Sequence, residues 1–208
     1  MRTIDLKNEL KTLYSPSAKE AEVVKVPKFN FLMIDGKGDP NNSKEFDHAV
    51  QALCSISYTL KFKFKFEEKI NYPVMPLEGL WWVGNNEQFD MQQKDKWFWT
   101  LMIMQPGIIT KKYVPRVIRE LKEKKELPSI DSVRLEAFAE GNSVQVLHVG
   151  PYGEEPATLN RMFEFENERG LEIRGKHHEI YLSDPRRTKP EKLRTILRHP
   201  VRIKKTSR

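Results

Sequence analysis

Two short stretches of this 208-residue chain set carboxylates among aromatic rings. In PLEGLWWVG, Pro76 to Gly84, Glu78 precedes the pair Trp81 and Trp82 in a segment that reads as a strand. In HHEIYLSDP, Glu179 stands two residues before Tyr181. Strand alternation puts Glu78 on one face with Leu80 and Trp82, leaves Trp81 with Leu77 and Val83, and puts Glu179 with Tyr181. The chemistry on offer is recognition of flat or cationic molecules. Ring faces give rigid contact area, each stacked pair adding roughly 0.5–1.5 kcal/mol beyond burial, and a buried carboxylate complements a cation. A carboxylate walled by indoles is also expected to titrate above its usual range, as suits a base working near neutrality.

Several residues around these two acids carry two readings. Trp81 fits a core as well as a ligand cage. So do Trp97 and Trp99 of KWFWTLMIM, which share a face with Leu101 and Ile103. Trp82 is assigned to the cleft. Tyr152, after the Gly150-Pro151 turn, either contacts a ligand or caps the turn, and Tyr58 and Tyr113 join the candidate ligand contacts. His148, His177 and His178 read as strand or surface histidines, since no acid or cysteine stands at metal-ligand spacing with them. Cys54, the single cysteine, excludes an internal disulfide and reads as a small buried side chain. No cofactor and no metal are expected: the GKG at 36–38 lacks the Lys-Ser/Thr pair of a phosphate loop.

The elements that must position these groups follow from periodicity. Residues 1–20 hold a short helical segment, with Leu6, Leu10 and Leu13 at spacings of four and three. AEVVKVPKFNFLMIDGKG reads as a strand ending in a glycine turn. DPNNS then supplies caps for the helix KEFDHAVQALCSISYTL, where Phe46, Val50, Leu53 and Ser57 share a face with Ala49 and Leu60. In KFKFKFEEK, 61–69, phenylalanines alternate with charges at the period of a strand, the alternative being that the preceding helix runs on into its start. YPVMPLEGLWWVG and KWFWTLMIMQP are two more strands around the polar loop NNEQFDMQQKD, and a basic helix is expected over 113–125.

That order then recurs. FNFLMIDGKGDPN and its helix match NSVQVLHVGPYGEEP and the helix ATLNRMFEFENERG; MPLEGLWWVG matches KHHEIYLSDP; KWFWTLMIMQP matches EKLRTILRHPV. Glu78 falls opposite Glu179, and Trp81 opposite Tyr181. The expected fold class is α+β, with two pseudo-twofold-related β-α-β-β modules, about 20–110 and about 130–204, whose antiparallel sheets form a central ligand cleft. Both modules are expected within one domain over 1–208, with 1–19 an N-terminal extension and 205–208 a basic tail.

Composition narrows the function classes. A chain that is 38% hydrophobic and 31% charged can bury a substantial core. No uncharged apolar run approaches the roughly 20 residues that span a bilayer, and MRTIDLKNELKTLYSP has no signal-peptide core, so a cytoplasmic protein with no membrane partner is expected. The net charge of +7 comes from basic residues interleaved with acids in KKYVPRVIRELKEKKE and from the tail RIKKTSR. There is no zinc-finger spacing, helix-turn-helix or RNA-binding aromatic signature, so nucleic acid is not the expected partner. A monomer that takes a small planar aromatic ligand is.

The stretches HVGPYGEEPATLNRMFEFENERG, HHEIYLSDPRR and TILRHPV resemble the GyrI-like small-molecule-binding domain, which also serves as the effector domain of multidrug-sensing transcription activators. FLMIDGKGDPN, SYTLKF and PLEGLWW look like its stand-alone branch. The resemblance covers roughly residues 20–204 and is most specific at Gly150-Pro151-Tyr152, at Glu179-Ile180-Tyr181 with Asp184-Pro185, and at Pro200-Val201. It implies a cleft between two modules with Glu179 at its centre. Some stand-alone members hydrolyse cyclopropane-bearing, DNA-alkylating natural products inside an aromatic cage and so protect the cell; the alternative is binding or sequestration without turnover. For such hydrolysis Glu179 or Glu78 would take the proton of water and Tyr152 or Tyr181 would donate to the developing oxyanion. Trp82, Trp81, Trp99, Tyr58, Tyr113 and Tyr181 would surround the ligand.

Overall fold

The structure is a computed structural model describing residues 1–84 and 93–205. Most of the loop NNEQFDMQQKD and nearly all of the basic tail lie outside the described residues. The elements are β1 (Arg2–Thr3), α1 (Leu6–Glu9), α2 (Lys11–Tyr14), β2 (Glu22–Lys37), α3 (Lys44–Phe66), β3 (Ile70–Asn71), β4 (Leu77–Val83), β5 (Trp97–Gln105), α4 (Tyr113–Lys122), β6 (Arg134–Val149), α5 (Glu155–Glu168), β7 (Leu171–Ile173), β8 (His177–Tyr181) and β9 (Arg194–Ile203).

The order β-α-β-β occurs twice, as β2-α3-β4-β5 and as β6-α5-β8-β9. Within each module the long first strand pairs with the last and the last with the middle one. The modules then join twice, β4 to β8 and β2 to β6, so six antiparallel strands close into a ring with β7 on the outside of β9. Closure leaves none of those six strands with an unpaired edge along its whole length. The interior is filled by side chains, among them Phe31, Met33, Leu80, Met102, Met104, Leu147, Ile180 and Ile196, as in other small barrels. On the outer face α3 packs across β2 and β5 while α5 packs across β6, and the central strands β4 and β8 lie in the gap between the two helices.

Two local readings change. The alternating KFKFKF at 61–66 is helical: α3 starts at the Ser43 cap, whose Oγ accepts from the Phe46 N–H at 3.2 Å, and runs unbroken to Phe66. Burial at Ile56, Leu60 and Phe64 meets the helix requirement of one inward residue per turn, and Phe62 and Phe66 are left exposed. The N-terminal leucines form two short turns broken at Leu10 instead of one helix. Leu13 and Tyr14 enter the barrel, where Arg198 donates to the Leu13 carbonyl at 2.7 Å and Gln145 donates to the Thr12 carbonyl at 2.8 Å.

Glu140 and Gln145 both hold Arg198 although they stand five apart on β6. Simple alternation would send them to opposite faces. The parity slips at Gly141, whose φ of +78° an L side chain adopts only with strain.

Gly36, on β2, faces Trp99 on β5. A β-carbon there would fall 2.1 Å from Trp99 Cη2, so the indole rests directly on the glycine backbone. Gly36→Ala is expected to destabilise by about 1–3 kcal/mol through overpacking. Urea unfolding measures it, and an unchanged midpoint would mean that the Trp99 ring can move aside.

Candidate functional site

The register of the two central strands decides which side chains meet. Glu179 on β8 lies opposite Gly79 on β4, Tyr181 opposite Leu77 and His177 opposite Trp81, so these residues share the outer, helix-flanked face. Gly79 leaves room there for the Trp81 indole, since a β-carbon on Gly79 would sit 2.7 Å from Trp81 Nε1. Trp81 Nε1–H donates to the Tyr181 hydroxyl at 3.1 Å, and Tyr181 donates in turn to Glu179 Oε2 at 2.6 Å. The other oxygen, Oε1, lies 3.1 Å from His177 Nε2. Glu179 is 7% exposed, and Tyr181 and Tyr152 beside it are half-buried. The Tyr152 ring stands edge-on to Tyr181 with 6.1 Å between centres.

Glu155, at the start of α5, is the residue that sequence reading missed. It is 2% exposed, and its Oε1 has no hydrogen-bond partner among the described residues. Burial pushes its carboxyl far above the usual range; the charge of Glu179 adds to this and Lys94 opposes it. Glu155 is therefore a neutral acid at neutral pH, held near a second carboxyl. An acid beside Pro156 in the first turn of a helix is common at exposed helix starts, so its residue type and place carry no sign of burial. Burial first, then Glu179, Glu155 and Asp184, also raise Tyr152 to about 12, so its hydroxyl keeps its proton as a donor.

Behind Glu179 the polar chain continues. His177 Nδ1 lies 3.0 Å from His199 Nε2, and His199 Nδ1 lies 2.9 Å from Glu166 Oε1 on α5. The spacing of His177 and Glu179, two apart on one strand, was a readable signal for the first of these contacts. Nothing in the sequence joins Glu166 or His199 to them.

Trp81 is 2% exposed, Trp97 5% and Trp99 0%. Phe46 of α3 stacks on Trp81 at 6.0 Å and meets Trp99 edge-on at 5.4 Å, and Trp97 packs against Trp81 at 5.3 Å. Trp99 is thus core beneath α3 and does not line a cage, whereas Trp81 connects that core to Tyr181. Tyr113 packs edge-on against Phe64 at 4.9 Å, in the same core. Tyr58 is half exposed on α3, 6.4 Å from Phe62.

Glu78 and Trp82 do not join Glu179. Glu78 lies opposite Ile180, one residue out of register from the matching with Glu179, and a single-residue slip sends a side chain to the other face. Glu78 points into the barrel, where it accepts from Tyr14 Oη at 2.7 Å and contacts His178 Nε2 at 3.0 Å. His178 Nδ1 reaches Glu140 at 3.1 Å, and Glu140 also meets Arg198. Burial opposes charge on His178, but Glu140 and Glu78 outweigh it and raise the imidazole to about 9. Burial likewise opposes ionisation of Glu140, but His178 and Arg198 hold it down at about 2. His177 and His178 are thus buried partners of acids, not surface residues, and His148 is buried against Thr158 at 2.9 Å. Trp82 stacks on Phe98 at 5.9 Å and lies under Lys176 Nζ. Lys176 lines a cavity of about 310 Å³ at the barrel mouth with Met33, Leu80 and Phe138.

Among the described residues no group of His, Cys, Asp and Glu is arranged to hold a metal ion. No described helix is long and apolar enough to cross a membrane.

The family model for a GyrI-like small molecule binding domain matches residues 19–202. A conserved protein from Listeria innocua is similar in structure at a TM-score of 0.88 and 41% identity, covering 96% of this chain and 100% of its own. Two structures of proteins described as hydrolases from Listeria innocua match at a TM-score of 0.84, with 39% and 40% identity, over 96% and 97% of this chain and 100% of their own. No match was found among curated protein sequences.

Proposed function

Because the chain belongs to the GyrI-like small-molecule-binding domain family, we propose that it takes a small planar molecule into the gap between α3 and α5 and hydrolyses it at a strained, electrophilic carbon such as that of an activated cyclopropane. The description of two Listeria innocua relatives as hydrolases supports the reaction class. The observation that carries the reading is the meeting of two carboxyls in unlike settings: Glu155, neutral and with its buried Oε1 unpartnered among the described residues, and Glu179, held by Tyr181 and His177. A neutral carboxyl able to donate, close to a second carboxyl that a tyrosine holds, offers a division of labour between acid and base.

In this reading Glu179 accepts a proton from water as the water oxygen bonds to the ring carbon. The strained carbon–carbon bond breaks, and its electron pair moves through the conjugated system to a carbonyl oxygen. Glu155 or Tyr152 supplies the proton that oxygen takes up. One water is added and nothing is oxidised or reduced. Tyr181 orients Glu179, and the Trp81 indole fixes Tyr181. In a cytoplasm exposed to alkylating natural products such an activity would be protective.

The test is incubation with a cyclopropane-bearing alkylator in water enriched in heavy oxygen, followed by product mass analysis. The expected product is ring-opened and carries one heavy oxygen. Saturable quenching of tryptophan fluorescence with recovery of intact compound would instead establish the second reading, binding without turnover. Trp81→Phe removes the indole donor to Tyr181 and keeps most of the packing, so it is expected to reduce turnover more than ligand affinity. Equal losses in the two would count against the orienting role.

A further inference from the structure

We propose that His177, His199 and Glu166 form a buried proton relay that loads and unloads Glu179 from behind, making Glu166 on α5 the distal proton terminal of the cleft. The four groups form an unbroken line, with contacts of 3.1 Å from Glu179 Oε1 to His177 Nε2, 3.0 Å from His177 Nδ1 to His199 Nε2, and 2.9 Å from His199 Nδ1 to Glu166 Oε1. Exposure is 7% at Glu179, 3% at each histidine and 4% at Glu166, so water does not break the line.

The donor and acceptor inventory of these groups sets the rule of the chain. Each of its contacts needs one proton between the two atoms: none leaves lone pairs opposed, and two leave hydrogens opposed. With every contact so filled, the line carries a single negative charge. In one state Glu166 is ionised, both histidines bear their proton on Nδ1, and Glu179 is protonated. Moving every proton one place toward Glu166 gives the other state, in which both histidines bear it on Nε2, Glu166 is neutral and Glu179 is the carboxylate. The two imidazoles therefore hold the same tautomer and change it together.

The surroundings of His199 fit a neutral imidazole that passes protons. Burial and the neighbouring His177 hold His199 below its usual value, and Glu166 only partly opposes them, with Glu140 adding from the barrel side. The Phe163 ring stacks on His199 at 5.4 Å and covers it from α5. At the cleft end Tyr181 donates to Glu179, while Glu155 and Tyr152 face it from the start of α5 and Lys94 acts on Glu155. The His199–Glu166 pair alone would leave only His199 Nε2 to be satisfied, which a single neutral donor would do. Extending it through His177 buries two more titratable groups, each of which costs free energy to desolvate.

The catalytic consequence rests on Glu179 acting as the base: moving every proton toward Glu166 makes Glu179 the carboxylate that takes a proton from water, and passing that proton to the Glu155 or Tyr152 that supplied one to the product restores the site. The titration of the line does not depend on that reading, and so the two can fail separately. The first measurement is nitrogen-15 NMR of histidine-labelled protein together with carbon-13 NMR of the glutamate carboxyls, over a pH series without substrate. The expected result is one shared tautomer for His177 and His199, with the proton on Nδ1 where Glu179 is protonated and on Nε2 where it is ionised. Unlike tautomers, or a shared tautomer that does not match the protonation of Glu179, overturn the relay, and this needs no variant. Glu166→Gln should then displace the Glu179 titration by about one unit or more, as coupled sites require. With a strained electrophile it should lower kcat roughly tenfold or more at unchanged KM. A Glu179 titration unmoved by Glu166→Gln overturns the proposal. Coupling without turnover of any such compound supports the relay and removes the hydrolytic reading.

Discussion

Replacing Glu179 with Gln is expected to lower turnover of a strained electrophile by roughly a hundredfold or more, the usual scale of a general-base contribution, while a neutral planar ligand still binds. The substitution keeps length and hydrogen-bonding capacity, so the Tyr181 hydroxyl can still donate to the amide oxygen. What is lost is the negative charge and the ability to take a proton. If Glu179 served only to recognise charge, cationic ligands would weaken by about 1–3 kcal/mol and turnover of neutral compounds would not change. The control is Glu78→Gln. Glu78 sits on the opposite face of the same pair of strands, bonded to Tyr14 and His178, so its substitution should change stability and leave turnover per folded molecule near that of the native chain. Turnover abolished by Glu78→Gln and untouched by Glu179→Gln would move the chemistry into the barrel.

The interior network yields the second large effect. His178→Leu removes the cation between Glu78 and Glu140 and leaves two buried carboxyls with one fewer partner, at a cost of about 3–5 kcal/mol in unfolding free energy. The pH dependence identifies the cause. The imidazole rises from 6.5 to about 9 on folding, so its contribution is full below 6.5 and is lost as pH climbs through about 9. Glu140 falls from 4.5 to about 2, so its contribution is full above 4.5 and is lost as pH drops through about 2. Urea unfolding of the native chain should therefore weaken between pH 6.5 and 9, and His178→Leu should lack that part of the slope. Equal slopes in the two proteins would show that His178 is not the titrating cation. Arg198 remains in the variant as the other partner of Glu140, which keeps a folded state measurable.

The contrast between Glu179 and Glu78 marks where sequence reasoning stopped. Alternation correctly grouped Glu78 with Leu80 and Trp82, Trp81 with Leu77 and Val83, and Glu179 with Tyr181, because the two-residue period of a strand is a local property. It could not say which of those sets faced which, since that depends on the register between strands a hundred residues apart. Matching the repeats one residue out put Glu78 beside Glu179; the register of Glu179 with Gly79 sends it through the sheet. At 61–66 the error ran the other way. The alternation of Lys and Phe is real and fits a strand, but the helix nucleated at Ser43 runs on through it, since Leu60 and Phe64 give the buried stripe all it needs.

The sequence by itself determined the repeated β-α-β-β order, the antiparallel α+β architecture and the shared face of Glu179 and Tyr181, because periodicity, turn residues and repetition are all written within short windows. Closure of the six strands into a ring, the entry of Tyr14 into its interior and the sorting of the tryptophans were decided only in three dimensions. The same holds for Glu155 and for the line from Glu179 to Glu166. A carboxyl's acidity depends on what surrounds it once water has been excluded, and its neighbours here come from β4, β8, β9 and α5. Those segments are distant along the chain and meet only when the barrel closes.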